Sequence, residues 1–224
     1  ALSYTTQSGK KIQISTKTVY LHQGVVPNVN LSMATGLDHK WDKRAHCWRP
    51  VTDKTGKTSD ERIYIAGDGS GIGGAEAAAI SGKLAASTIA MRFGKVGSLS
   101  QLFYKFQHVY SLSIRPFLDR LYLPPAQFRV PQNESAIICR CEAVNKADIN
   151  AALASGANGP NQLKAFSRAG MGRCQGRNCG LIVQEMIAAH TGQSMAETGY
   201  YRLRPPVKPI TLAELASLDG PWPQ

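Results

Sequence analysis

Arg62-Ile63-Tyr64-Ile65-Ala66, running into Gly67-Asp68-Gly69-Ser70-Gly71-Ile72-Gly73-Gly74, is the stretch on which the fold turns. A compact apolar run bounded by glycine predicts a buried strand. The Ala-rich segment after it, with Ala75, Ala77, Ala78, Ala79, Gly82, Ala85 and Ala86, predicts a helix over about 73–93 with one side small enough to pack closely on a sheet. A strand that stops in such a turn and opens a helix brings backbone amides and a positive helix end to one point, which suits an anion or a cofactor phosphate. The glycines admit close approach of a ligand to the backbone. Asp68 can accept hydrogen bonds from ribose or ribityl hydroxyls, or from the first helical amides. A capped strand-to-helix connection with no ligand needs glycine too, and no acidic residue about 20 positions downstream completes a Rossmann fingerprint.

Upstream, Ile12-Gln13-Ile14 and Thr18-Val19-Tyr20-Leu21 alternate apolar and polar residues and predict sheet ending in a loop at Gly24-Val25-Val26-Pro27-Asn28. Residues 38–60, with Trp41, Trp48 and Pro50, read as polar and irregular. Downstream, Leu102, Phe103, Phe106, Val109, Tyr110 and Leu112 recur at helical spacing, and Pro116 starts or kinks a second helix. Pro124, Pro125 and Pro131 mark a linker. Three short helical patterns follow, at about 145–155, 160–169 and 177–191, and the segment from Arg204 to Gln224 reads as a tail laid over the surface.

The chain of 224 residues carries 26 Lys and Arg against 15 Asp and Glu, a formal charge of +11. Its basic residues are scattered, without a basic run or an aromatic-interleaved ribbon, which argues against nucleic-acid binding and for a solvated surface or a docking face for an acidic partner or anionic cofactor. The longest apolar candidate, 75–90, is broken by Glu76, Ser81, Lys83 and Ser87, so no membrane span is expected. The first residues lack both an apolar signal stretch and an initiator Met, and the start reads as a cut into a longer chain.

Cys139-Arg140-Cys141 and, 32 residues on, Cys174-Gln175-Gly176-Arg177-Asn178-Cys179 place four thiols within 41 residues. That clustering suits a metal site in a reducing compartment better than a secreted disulfide framework. Four thiolates serve tetrahedral zinc or a 2Fe-2S cluster. The one-residue spacer of the first pair makes adjacent thiolates diverge and favours two irons over one zinc. Arg140, Arg173 and Arg177 beside the ligands would favour the reduced cluster, or are ordinary surface charge. Glycines 170, 172, 176 and 180 free backbone amides to approach the sulfurs.

The segment Ile63 to Asp68 with Gly71, Gly73 and the Ala-rich helix resembles the C-terminal FAD-binding motif of two-dinucleotide-domain flavoproteins. Residues 24–28 resemble the return from the NAD-type to the FAD-type domain of those enzymes. The resemblance implies cofactor contacts from Gly67, Asp68, Gly69, Gly71, Gly73 and Gly74, with FAD or another dinucleotide as ligand and half of the site elsewhere. Residues 137–190 resemble the bacterioferritin-associated-ferredoxin type of 2Fe-2S domain, in the variant with Cys-x-Gly-x-x-Cys as its second pair, which implies Cys139, Cys141, Cys174 and Cys179 as ligands. In this order the two motifs resemble the C-terminal half of the α subunit of heteromeric amino-acid and opine dehydrogenases, a group that includes opine oxidases, proline and hydroxyproline dehydrogenases and hydrogen cyanide synthase.

The implied fold is α/β: the C-terminal part of a flavoprotein domain over 1–95, a helical connector and Pro-rich linker over 96–130, a small helical 2Fe-2S domain over 131–195 and a tail over 196–224. The implied function is that of one component of a heteromeric oxidoreductase acting on CH–NH donors. It relays electrons from a partner flavin through the cluster to an acceptor, without catalytic residues of its own. Implied partners are the N-terminal half of the same flavoprotein, an amino-acid-oxidase-like β subunit with FMN at the interface in several members, and a small γ subunit. The setting implied is cytoplasmic, with peripheral inner-membrane association through the acceptor. A zinc scaffold module and a stand-alone ferredoxin-like module are the alternatives. His22, His39, His46, His108 and His190 show no ligand spacing and read as surface or capping residues, and Cys47 reads as a packed thiol.

Overall fold

A computed structural model describes residues 1–6, 8–20, 24–95 and 97–217. His22, Leu21 and the end of the tail, 218–224, lie outside the described residues. The chain opens with an exposed hairpin in which β1 (Leu2–Thr5) pairs antiparallel with β2 (Lys11–Ile14), Leu2 opposite Ile14 and Thr5 opposite Lys11. The strand expected at Ile12–Ile14 is therefore present, but its partner precedes it. Thr18–Tyr20 has no regular structure.

After a short α1 (Asn30–Ala34), the stretch expected to be irregular forms a second hairpin, β3 (His39–Asp42) and β4 (Cys47–Pro50). Its signal is in the turn, where Asp42 Oδ1 accepts the amides of Arg44 and Ala45, and in the facing Trp41 and Trp48, whose rings meet edge to face at 5.7 Å. Alternation of apolar residues, the usual cue, is absent.

The strand expected at 62–66 is not one. Only the bridge between Lys57 and Tyr64 forms, with the Ile65 amide bonded to Gly56 O at 2.8 Å. The segment is extended, and no strand among the described residues lies beside it to make a ladder. The turn and helix that follow are as expected: a 3-10 turn at Gly67–Gly69, then α2 (Ala75–Arg92). The small residues of α2 allow close packing on α3 (Ser98–Ser111), where Gln101 reaches Thr88 Oγ1 at 3.0 Å. Pro116 lies in the first turn of α4 (Arg115–Leu121), where its missing N–H costs nothing. The apolar positions read from the sequence do lie on these helices, but Leu102, Phe106, Val109, Tyr110 and Phe117 are exposed.

From residue 137 the chain builds a core of its own. A hairpin of β5 (Ile137–Cys139) and β6 (Val144–Asn145) leads into α5 (Lys146–Ala154), started by a reciprocal cap in which Asn145 and Asp148 each accept the other's amide. Next come α6 (Pro160–Ser167), α7 (Gly180–Thr191) and α8 (Met195–Thr198). Ile138, Ile149, Leu153, Leu163, Val183 and Ile187 form the centre, closed from one side by Tyr201 and Leu203. The end of the described chain carries an exposed α9 (Leu212–Ala216).

The β3–β4 hairpin is latched onto this core. Trp48 Nε1 donates to Oε1 of the fully buried Gln184 at 3.0 Å, His46 pairs with Glu185, and Asn30 Nδ2 donates to Gln175 O at 2.9 Å. No helix of the described residues is long and apolar enough to cross a membrane.

Candidate functional site

The four cysteines come from two turns. Cys139 ends β5 and Cys141 lies in the turn before β6, while Cys174 lies in the loop before α7 and Cys179 caps that helix. The turns touch at Gly172, where any Cβ would overlap the Cβ of Cys141. The β5–β6 turn is held from outside by Glu142, which accepts from Arg168 Nε at 2.8 Å.

The sulfurs influence one another across the two turns: Cys139 and Cys174 bear on Cys179, and Cys141 bears on Cys174. Among the described residues no group of three or more His, Cys, Asp or Glu side chains stands close enough to hold a single ion as it is. Cys139 and Cys179 are buried, Cys174 is half-buried and Cys141 is exposed, so the group runs from the core to the surface.

Environment divides the thiols electrically. Burial raises the Cys174 thiol, but the Asn178 amide, the Cys141 thiol and the amides of Gly176 and Arg177 outweigh it and hold the thiol below its ordinary value. At Cys179 burial dominates, and with the neighbouring Cys139 and Cys174 it pushes the thiol up to about 12. Bringing such a thiol to its anionic form requires a cation, and a soft metal supplies one. Four sulfur donors, buried at one end and bathed in amides at the other, fit a thiolate-bound metal centre.

Of the flanking arginines, Arg177 donates to Cys174 O at 3.1 Å and so fixes the loop. No ion pair or hydrogen bond of the described residues involves the exposed side chains of Arg140 or Arg173. The glycines have a second use beyond freeing amides, which the sequence reading missed. Side chains at Gly170 and Gly176 would collide with the ring of Tyr201, and one at Gly180 with Tyr200. The Tyr200 hydroxyl donates to Gly176 O at 3.1 Å. The two tyrosines, with rings edge to face at 5.5 Å, clamp the Cys174–Cys179 loop. Their adjacency in an unremarked stretch of sequence gave no signal; the crowd of glycines around the cysteines was the trace they left. A cleft of about 590 Å³ opens beside the clamp, lined by His39, Trp48, Tyr200, Tyr201 and Arg202 among others.

At the glycine-rich turn, Asp68 Oδ1 accepts the amides of Gly73 at 2.9 Å and Gly74 at 3.2 Å, closing the loop ahead of α2. Gly67 donates to Ser81 Oγ at 2.6 Å. The six residues have unequal jobs. A Cβ on Gly71 would meet the guanidinium of Arg49, which itself donates to Ser70 O at 3.0 Å and Asp42 Oδ2 at 3.0 Å. One on Gly73 would press on Ala77 and Leu112, and one on Gly67 would touch Ala78, whereas Gly69 has only an ordinary contact with Ile65 and Gly74 faces open space. Backbone approach by a ligand is thus freest at Gly74, next to the unpaired first amides of α2.

Cys47 is a packed thiol, as read: it is 3% exposed, and burial pushes it up to about 11. His39 and His46 are hydrogen-bonded within the fold, His39 to Leu37 O and Ser32 Oγ, His46 to Glu185.

The chain joins a thiol-rich helical unit to a capped glycine turn, and comparison with known proteins shows what it is similar to. Residues 133–218 match the model of the sarcosine oxidase A3 domain. The chain is homologous to the A subunit of opine oxidase: it is 44% identical to that of Rhizobium meliloti over 220 residues, 96% of this chain and 41% of the relative, and 44% identical to that of Agrobacterium tumefaciens (strain Ach5) over 97% and 44%. The HcnB subunit of hydrogen cyanide synthase from Pseudomonas protegens is 31% identical over 94% and 45%. The chain spans less than half the length of these relatives. The crystal structure of L-proline dehydrogenase from P. horikoshii superposes with a TM-score of 0.72 at 22% identity, covering 95% of this chain and 41% of that one, so the fold is shared with that protein. These findings bear out the resemblance and the α/β fold class read from the two motifs.

Proposed function

We propose that this chain is part of the electron-relay subunit of a heteromeric, flavin-dependent dehydrogenase acting on the CH–NH bond of an amino acid or opine. In this reading Cys139, Cys141, Cys174 and Cys179 hold a 2Fe-2S cluster, which supplies one-electron chemistry when bound. The convergence of four free cysteines on two touching turns carries the reading, because an all-cysteine two-iron centre takes four thiolates. The exposed position of Cys141 supports electron exchange at the surface, while buried Cys139 and Cys179 keep water from the other side. The relatives' names, those of oxidase and synthase components, support the assignment to an oxidoreductase complex.

The chain's own residues do three things. Arg177 and the amides of residues 176–178 hold the Cys174 loop in the shape that presents its sulfur. Asp68 and the turn from Gly67 to Gly74 would receive a dinucleotide, FAD in the first instance, at the positive end of α2, with the rest of its site from a preceding segment of the same flavoprotein. The exposed apolar side chains of α3 and α4, Phe106 and Phe117 among them, form the kind of surface that contacts between subunits cover. We assign it to the amino-acid-oxidase-like β subunit. The proposal is completed by an FMN between the subunits, a small γ subunit, a separate electron acceptor and a cytoplasmic setting, with 1–95, 96–130 and 131–195 as units of this chain and 196–224 as a tail that, contrary to the boundary read from the sequence, packs Tyr201 and Leu203 into the cysteine unit's core.

The test is the native complex, purified whole. It should be brown, contain iron with acid-labile sulfide, and bleach on addition of the amino-acid or opine substrate. Bleaching of flavin alone, with the cysteine site holding zinc, would select the scaffold alternative.

A further inference from the structure

Among the described residues one buried side-chain polar atom has no hydrogen-bond partner: the hydroxyl of Tyr201. The residue is 3% exposed. Its ring is wedged between the turns on either side of Cys174, where a Cβ on Gly170 would approach it to 2.5 Å and one on Gly176 would overlap it. Both glycines have positive φ, +87° and +79°, so the backbone itself is bent to seat the ring. Lys164 Nζ stands 5.5 Å from the ring centroid on the rim. The tyrosine is held on several sides and cannot turn its hydroxyl to water.

An unsatisfied buried hydroxyl destabilises the fold that holds it. Phenylalanine would fill the same space without that cost. Tyr201 packs in the same buried cluster as Cys179 and Cys139, and Cys179 is the group that acts most strongly on its hydroxyl. A tyrosine hydroxyl carries one proton to donate. A neutral thiol is a poor acceptor, whereas a metal-bound thiolate is a good one.

We propose that Tyr201 donates a hydrogen bond to the Cys179 sulfur when that sulfur is a metal-bound thiolate, and that this bond raises the reduction potential of the centre. The inference rests on the 2Fe-2S reading above. Uptake of one electron from a flavin adds one negative charge, shared by the sulfurs, and breaks no bond. A donor aimed at a sulfur stabilises the charged product more than the reactant. Tyr201 is thus a potential-setting residue outside the cysteine motif.

The experiment compares the whole complex with its Tyr201→Phe variant by iron and sulfide analysis and by redox titration of the cluster. Expected are unchanged iron and a midpoint shifted down by about a tenfold change in the one-electron equilibrium, about 59 mV. Unchanged iron with an unchanged midpoint overturns the proposal and leaves the cluster reading intact. A wild-type complex without iron overturns the cluster reading and this proposal with it. Should Tyr201→Phe lose its iron, a complex carrying fluorotyrosine at position 201 decides: a midpoint raised by the stronger phenol donor supports the hydroxyl–sulfur bond, and an unchanged midpoint overturns it.

Discussion

The cysteine unit and the glycine-turn segment are both built from helices and two-stranded hairpins, yet they bury their apolar residues differently. From Ile138 to Leu203 the side chains form one closed cluster, with Ile149, Leu163, Val183 and Ile187 fully buried. Around α2 burial is thin, with Leu84, Ala77 and Ala85 inside, while α3 and α4 turn a row of aromatic and aliphatic side chains outward. A unit that closes its own core can set the geometry of four sulfurs by itself. A segment that leaves its apolar face open is shaped for neighbours, and in the proposed function its glycine turn is half of a cofactor site.

This contrast is broken most severely at the sulfurs. Replacing Cys174 by Ser should abolish iron binding and the visible cluster bands while flavin content is retained; loss of flavin together with iron would show that the two regions are not separable. Next in size are the core changes. Leu163→Ala should cost about 2–5 kcal/mol, read as a lowered midpoint of chemical unfolding. Phe106→Ser, on the exposed face, should stay within about 0.5 kcal/mol in the isolated chain but weaken association with the partner subunit. Equal destabilisation by both would mean that α3 is buried within this chain after all.

Gly176→Ala places a side chain at φ +79° and against the ring of Tyr201, and should cost about 1–3 kcal/mol with loss of cluster content. Asp68→Ala removes the acceptor of two amides, for about 1 kcal/mol. It should lower dinucleotide content with iron unchanged; flavin content untouched by this substitution would remove the turn from the cofactor site.

The gentlest probe is pH. Burial holds His39 below the ordinary histidine value, against the raising pull of Leu37 O and Asp38. The unfolded chain therefore takes up a proton there more readily than the folded one, and stability should fall as pH drops through about 6.5 toward the folded value. Replacement by Gln should flatten that slope in a series of thermal unfolding curves.

Much of the cysteine unit could be read from the chain because its signals are local. Asn145 and Asp148 cap α5, Pro160 opens α6, and the cysteines stand within each pair only two and five positions apart. What escaped depends on distant partners. The β3–β4 hairpin is fixed by the Asp42 turn and by Trp48 reaching Gln184, 136 positions away. The apolar run at 62–66 has strand composition, but composition cannot supply the neighbouring strand that makes a ladder. The Tyr200–Tyr201 clamp was legible only indirectly, through glycines whose purpose was to leave room for rings.

The central claim is that two turns bring four thiols together as a two-iron relay. Metal and sulfide analysis of the complex, with an electron paramagnetic resonance spectrum after dithionite reduction, tests it most directly. The account predicts about two irons and two labile sulfides per chain and a paramagnetic reduced state. One zinc per chain, no sulfide and a silent spectrum would contradict it.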